Sequence, residues 1–126
     1  MQLKHIALVS RTEEKADRFY QDVLGLKKIS EKTLAASLSK DIFNVNAELK
    51  IVNYANETLH FEIFIGDTDH INTDSIGHVC LEVQDLEAFV ERCRQNAVEV
   101  IQVPKGDGFI TFIKDMGAGL FEIKKA

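Results

Sequence analysis

Two glutamates, Glu62 and Glu122, stand inside short apolar runs that are typical of buried β-strands. The runs are nearly alike, since residues 59–64 are LHFEIF and residues 119–123 are GLFEI. A carboxylate in apolar surroundings is costly unless it is paired, hydrogen-bonded or bound to a metal ion. The repeated pattern therefore indicates that both glutamates have a functional partner.

Two histidines occupy matching positions in a second pair of similar runs. His5 lies in KHIALV and His78 lies in GHVCLE, so each half of the chain has one such histidine and one such glutamate. The sequence thus contains an internal repeat. Two imidazoles and two carboxylates suit one borderline divalent ion such as Zn²⁺, Ni²⁺, Co²⁺ or Mn²⁺. The sequence therefore predicts a metal site formed by His5, Glu62, His78 and Glu122.

The elements that must position these residues repeat in the same order in both halves. Each half reads as a strand, an amphipathic helix and three further strands. Thr12 and Asp85 suit the N-caps of the two helices, and Gly25 can end the first one. The predicted strands are 3–9, 26–29, 47–55, 58–66, 76–83, 99–104, 109–115 and 120–125. The segment 33–44, which is either a short helix or a loop, accounts for the greater length of the first half.

Strand alternation places these residues on two faces. One face is apolar and can be covered by the helices; it holds Ile6, Leu8, Phe61, Ile63, Val79, Leu81, Val83, Phe121 and Ile123. The four candidate metal ligands fall on the opposite face. His60 shares that face and competes with Glu62, but its counterpart in the repeat is Leu120, which is no ligand. Cys80 also lies there, and core packing is its expected role.

Composition predicts one soluble globular domain over residues 1–126, with module one at about 1–68 and module two at about 74–126. The net charge of −5 argues against nucleic acid or an anionic membrane as a partner. No apolar run is long enough to span a membrane and the N-terminus lacks a secretory pattern, so the expected location is the cytoplasm. Cys80 and Cys93 lack metal-type spacing and are expected to be reduced thiols.

The motifs resemble those of the vicinal oxygen chelate superfamily, which includes glyoxalase I, methylmalonyl-CoA epimerase, extradiol dioxygenases, and bleomycin and fosfomycin resistance proteins. The resemblance spans the chain and is carried by LKHIALVSRTEEKADRFYQDVLGL, LHFEIF, IGHVCLEV and GLFEIKK. It implies an α+β fold of two βαβββ modules forming an open, cupped mixed sheet with the helices outside. It also implies a homodimer, in which the open strand edges are covered, and the metal ligands His5, Glu62, His78 and Glu122.

A ligand set of two histidines and two glutamates is most similar to that of bacterial glyoxalase I. The resemblance implies a metal-dependent lyase or isomerase that moves a proton next to a carbonyl of a small-molecule substrate through a metal-bound enediolate. Glu62 or Glu122 would be the catalytic base, and Glu122 is slightly favoured. The sequence departs from glyoxalase I at Val9 and Gly66, where that enzyme has an arginine and an asparagine for glutathione. Glutathione is therefore not implied as the substrate.

Two other functions stay open at the level of sequence. An epimerase of the methylmalonyl-CoA type would use the same four ligands on an acyl thioester. A metal-free protein that binds a small antibiotic belongs to a different class, and the intact ligand set and the absence of tryptophan argue against it. The sequence does not name the substrate or the metal. It also leaves open whether Glu62 or Glu122 is the base, and whether the site lies within one chain or across a dimer.

Overall fold

The computed structural model describes residues 3–66, 78–117 and 119–126. The strands in these parts of the chain are β1 (Ile6–Ser10), β2 (Lys27–Leu34), β3 (Leu49–Ala55), β4 (His60–Ile65), β5 (Val79–Val83), β6 (Val100–Lys105), β7 (Gly108–Lys114) and β8 (Leu120–Lys125). The helices are α1 (Glu13–Ala16), which continues as a π-helix over Asp17–Val23, α2 (Ala36–Phe43) and α3 (Leu86–Gln95). None of the described helices is long and apolar enough to cross a membrane.

The strands form two four-stranded mixed sheets of the same topology, in the orders β1-β4-β3-β2 and β5-β8-β7-β6. In each sheet the first and last strands of the module are parallel and the other neighbours are antiparallel. The predicted α+β fold of two βαβββ modules is confirmed. The junction expected at about 68–74 and the expected beginning of β5 at residue 76 lie outside the described residues.

Two elements of the first module differ from the sequence-based expectation. The ambiguous segment 33–44 contains α2, so helix was the right alternative. Strand β2 runs on to Leu34, beyond its expected end at Ile29, because it pairs with the whole length of β3. A register shift between Lys28 and Ser30 interrupts this pairing. The regular alternation that predicts a strand from sequence is broken at the same point.

The first helix begins and ends as its sequence predicts. The Thr12 side chain accepts a hydrogen bond from the N–H of Lys15 at 3.2 Å and so caps the helix. Gly25 has a φ of +73°, a left-handed conformation that glycine adopts without steric penalty. The N–H of Leu26 then donates to the carbonyl of Tyr20 at 2.9 Å and closes the helix directly before β2.

One hydrophobic core lies between the two sheets and two of the helical segments, the first helix with its π-helical continuation and α3. All nine apolar residues predicted to face the helices belong to this core or pack against it. The rings of Phe61 in β4 and Phe121 in β8 have centroids 6.0 Å apart, so the core joins both modules. The other face of each sheet is therefore turned away from the shared core.

An ion-pair network fastens the beginning of the first helix to β2 and β3. Nζ of Lys28 lies 2.9 Å from Glu13 and 2.8 Å from Asp17, and Nζ of Lys50 lies 2.6 Å from Glu13. The Tyr54 hydroxyl donates to Asp17 at 2.7 Å. Hydrogen bonds from Lys50 and Lys28, of which the one from Lys50 has the larger effect, lower the pKa of Glu13 to about 2. The network therefore favours the charged form of Glu13 in the folded protein.

We expect Glu13→Gln to destabilise the fold at neutral pH by about 1 kcal/mol, the upper range for an exposed ion pair. Because the folded pKa of Glu13 lies below its ordinary value of 4.5, this contribution is full above that value and is lost as the pH falls toward about 2. Urea unfolding of wild type and variant across this pH range measures the effect. Glu14→Gln, at the neighbouring helix position outside the network, is the matched control. Equal losses of stability in the two variants would contradict the prediction.

Candidate metal centre

Module one brings one histidine and one glutamate together on the face turned away from the core. His5 directly precedes β1, and Glu62 lies in β4 opposite Ala7. Since alternate residues of a strand share a face, the side chain of His5 lies on the same side as Glu62. Nε2 of His5 is 2.9 Å from Oε2 of Glu62, whose side chain is only 11% exposed.

Module two repeats this arrangement with a looser pair. His78 directly precedes β5, and Glu122 lies in β8 opposite Cys80. Nε2 of His78 is 3.4 Å from Oε2 of Glu122, whose side chain is 19% exposed. The two pairs therefore occupy equivalent positions of the two modules, as the internal repeat predicts.

His60 lies on the same face as Glu62 but has a different partner. Its Nε2 is 2.7 Å from Oδ1 of Asn53, and its ring centroid is 5.8 Å from that of His5. In this arrangement His5, and not His60, contacts the carboxylate of Glu62.

The four candidate ligands come together as two pairs. Among the residues 3–66, 78–117 and 119–126 of one chain, no group of three or more histidine, cysteine, aspartate or glutamate side chains could hold a metal ion. Catalytic zinc sites use three protein ligands and structural sites use four. Each pair thus has suitable donor atoms but provides half of the predicted set. A metal site of His5, Glu62, His78 and Glu122 stays a prediction.

Two lysines beside the glutamates were missed from the sequence. Nζ of Lys32 lies 3.0 Å from Oε1 of Glu62, and Nζ of Lys124 lies 3.6 Å from Oε1 of Glu122. Lys124 follows Glu122 at the next same-face position of β8, so strand alternation could have identified it. Lys32 lies on β2, which is separated from β4 by β3. Only the strand order brings Lys32 to Glu62.

The expected core role of Cys80 is wrong. Cys80 is exposed, whereas Cys93 is the buried thiol. Cys80 lies on the edge strand β5 and on the face that the helices do not cover, which explains its exposure. Desolvation and the nearby charge of Glu122 raise the pKa of the Cys80 thiol, so it stays protonated at neutral pH. A protonated thiol is a weak nucleophile.

The turn before β8 fixes the beginning of the strand that carries Glu122. Oδ1 of Asp115 accepts hydrogen bonds from the N–H groups of Gly119 at 2.8 Å and Gly117 at 3.0 Å. A Cβ on residue 119 would overlap Oδ2 of Asp115, so a larger residue there would displace the carboxylate that holds the turn. Burial raises the pKa of Asp115, and the two backbone donors oppose this shift. This turn therefore contributes to the position of Glu122.

Solved structures of two kinds of protein share this fold. The fosfomycin resistance protein FosX from Listeria monocytogenes has a TM-score of 0.73 and 20% identity, with coverage of 98% of this chain and 91% of that chain. FosX from Mesorhizobium loti has a TM-score of 0.70 and 15% identity, covering 98% of this chain and 90% of that one. For a glyoxalase family protein from Enterococcus faecalis the TM-score is 0.71 and the identity 17%, with coverage of 97% and 95%. At these identities the similarity shows the fold alone.

Sequence comparison identifies the family. No curated protein sequence matches the chain. The family described as the Glyoxalase/Bleomycin resistance protein/Dioxygenase superfamily matches residues 2–122, which is nearly the whole chain. The chain belongs to this superfamily, the vicinal oxygen chelate superfamily.

Proposed function

We propose that the protein is a metal-dependent enzyme of the glyoxalase type, a lyase or isomerase that moves a proton on the carbon next to a carbonyl. The observation that carries this proposal is the repeated pair, His5 with Glu62 and His78 with Glu122, at equivalent positions of the two modules. A single pair of this kind is common on protein surfaces. Two equivalent pairs, each on the sheet face turned away from the core, are best explained by a common role in binding one kind of ligand.

The donor atoms fit a divalent ion. Imidazole nitrogen and carboxylate oxygen both coordinate Zn²⁺, Ni²⁺, Co²⁺ and Mn²⁺, and the Listeria FosX was crystallised with Mn(II). When bound, such an ion acts as a Lewis acid toward substrate oxygens. The residues His5, Glu62, His78 and Glu122 would hold it.

Glu122 is the better candidate for the base. Its contacts to His78 and Lys124 are 3.4 and 3.6 Å long, whereas Glu62 is held by its histidine and lysine at 2.9 and 3.0 Å. A carboxylate with looser contacts can turn more easily toward a substrate carbon. Glu122 would accept the proton from that carbon and return it to the neighbouring atom, while Glu62, whose side chain is 11% exposed against 19% for Glu122, would stay in place as a metal ligand.

We place the complete ligand set across a homodimer. One chain gives two separate half-sites in its described part, and β1 and β5 are edge strands of their sheets. An edge strand has unpaired N–H and C=O groups that a second chain can use. Pairing β1 of one copy with β5 of the other would set module one of each chain beside module two of its partner. A twofold dimer would then hold two complete sites.

A heterodimer of two variants tests both the presence of the metal site and its formation from residues of two chains. His5→Ala damages module one and His78→Ala damages module two. In a heterodimer of these variants, a shared site leaves one intact set of ligands, whereas a site within one chain leaves none. We expect a heterodimer purified with two different tags to bind one Mn²⁺ or Zn²⁺ per dimer, where the wild type binds two and each variant homodimer binds none.

The controls for this experiment separate its two parts. Metal analysis of the wild-type dimer gives the full occupancy, and circular dichroism shows that each variant folds. A heterodimer without metal beside a wild type with metal would place the site within one chain. A wild type that binds no divalent ion would contradict the proposed function itself.

A second candidate is hydrolysis of an epoxide on a small phosphonate, in which water bonds to one ring carbon, the C–O bond of that carbon breaks and a vicinal diol forms. One structure of a Listeria FosX variant contains Mn(II) and 1S,2S-dihydroxypropylphosphonic acid. In this chain, Lys32 and Lys124 lie beside the two glutamates and could meet an anionic group. Water labelled with ¹⁸O distinguishes the two reactions, because hydration places the label in the product as a new hydroxyl group. Proton transfer next to a carbonyl instead places solvent hydrogen on carbon.

A further inference from the structure

We propose that Lys32 is a resident counter-cation of Glu62 that competes with the divalent ion for this carboxylate. The inference rests on the proposed metal site and concerns its metal-free state. Nζ of Lys32 lies 3.0 Å from Oε1 of Glu62, and Nε2 of His5 lies 2.9 Å from Oε2. Both carboxylate oxygens therefore have a partner before a metal ion arrives.

Lys32 and a metal ion each weaken the interaction of the other with Glu62. A charged ammonium group has three donors and no lone pair, so it is not a metal ligand. A divalent ion on Glu62 would repel the ammonium group at a distance of a few ångströms. Lys32 and the ion therefore compete for Glu62.

The two side chains differ in their freedom to move. The side chain of Lys32 is 61% exposed and can return its charge to water, whereas that of Glu62 is 11% exposed. Glu62 therefore keeps its position on the sheet face, and Lys32 is the side chain that moves away when the ion binds. Without any cation, the nearly buried carboxylate of Glu62 would lose much of its compensation. Lys32 consequently stabilises the metal-free protein and weakens metal binding.

The position of Lys32 is particular to module one. Lys32 is opposite Ile51 on β3, and Asn53 on β3 is opposite Glu62, so the lysine side chain reaches across β3 to the carboxylate. In module two the lysine is Lys124, which lies on the same strand as its glutamate and farther from it, at 3.6 Å. The two halves of the site therefore differ in how strongly a resident cation holds the glutamate.

Lys32→Met tests this inference by two measurements that should move in opposite directions. We expect the variant dimer to bind Mn²⁺ about fivefold more tightly than the wild type, the upper range for an exposed ion pair, and to melt at a lower temperature without metal. Calorimetric titration with Mn²⁺, or with Zn²⁺ if Mn²⁺ does not bind, gives the affinity. Lys27→Met removes the same charge from the same strand and is the matched control. Lys32→Arg keeps the cation and should stay near the wild type.

Each outcome bears on the inference. Tighter binding by Lys32→Met than by Lys27→Met supports it. Equal affinities of these two variants, or weaker binding by Lys32→Met, overturn it and leave the proposed metal site standing. If the wild type and all variants bind neither ion, the proposed function falls, and this inference falls with it.

Discussion

His78→Ala should lower the affinity for a divalent ion by more than about a hundredfold, because loss of groups that merely support a ligand already costs 10- to 100-fold. His78 provides one of the two imidazoles of the predicted set, and its Nε2 already faces Glu122 at 3.4 Å. Alanine removes the nitrogen and leaves the strand intact. Calorimetric titration and metal analysis of the purified protein measure the loss.

Thermal unfolding gives an independent measurement of the same loss. A ligand that binds only the folded protein stabilises it by about 2.7 kcal/mol at a hundredfold excess over Kd. We expect the wild type to show this gain on addition of metal and His78→Ala to show none. Both proteins should unfold at similar temperatures without metal, since His78 is more than a third exposed.

His60→Ala is the matched control for the ligand set. His60 lies on the same face but contacts Asn53, so its loss should leave metal affinity nearly unchanged. Wild-type affinity in His78→Ala would contradict the predicted site. Loss of metal from His60→Ala, together with retention by Glu62→Gln, would instead replace Glu62 by His60 as the ligand.

Strand periodicity explains why the faces were predictable from the sequence. Ile6 and Phe61 face the core while His5 and Glu62 face away, because successive side chains of a strand alternate between two sides. The same rule assigns equivalent residues of the two halves to the same face, so each half of the repeat supports the assignment of the other. It assigns a residue to a face, but it does not give the distance between faces of different sheets.

The contacts that depend on strand order were not predictable in this way. Lys32 reaches Glu62 because β2, β3 and β4 are neighbours, and no local pattern records that order. Cys80 was placed on the correct face, but its burial depends on what covers that face. Helix α2 was ambiguous because Ala35 at its N-cap position makes no side-chain hydrogen bond, so the usual signal for a helix start is missing.

Glu122→Gln should lower kcat about a thousandfold, within the range that general-base catalysis contributes. The amide has nearly the shape of the carboxylate and keeps one oxygen for weak coordination, but it cannot accept a proton from carbon. Substrate binding should therefore change much less than turnover. Steady-state kinetics on a panel of 2-hydroxy carbonyls, thiohemiacetals and acyl thioesters would measure both quantities, and an acyl thioester alone as substrate would favour the epimerase.

Glu62→Gln is the matched comparison, because it makes the same change in the other module. If Glu122 is the base, Glu62→Gln should weaken metal binding and retain more turnover once metal is saturating. Reaction in deuterated water should place deuterium on the product carbon in the wild type, since a carboxylate base can exchange its proton before returning it, and Glu122→Gln should lose this exchange along with turnover. Equal losses of turnover in the two variants at saturating metal would contradict the assignment of Glu122, rather than Glu62, as the base. A variant Glu122→Gln that turns over at the wild-type rate would show that Glu122 is not the base.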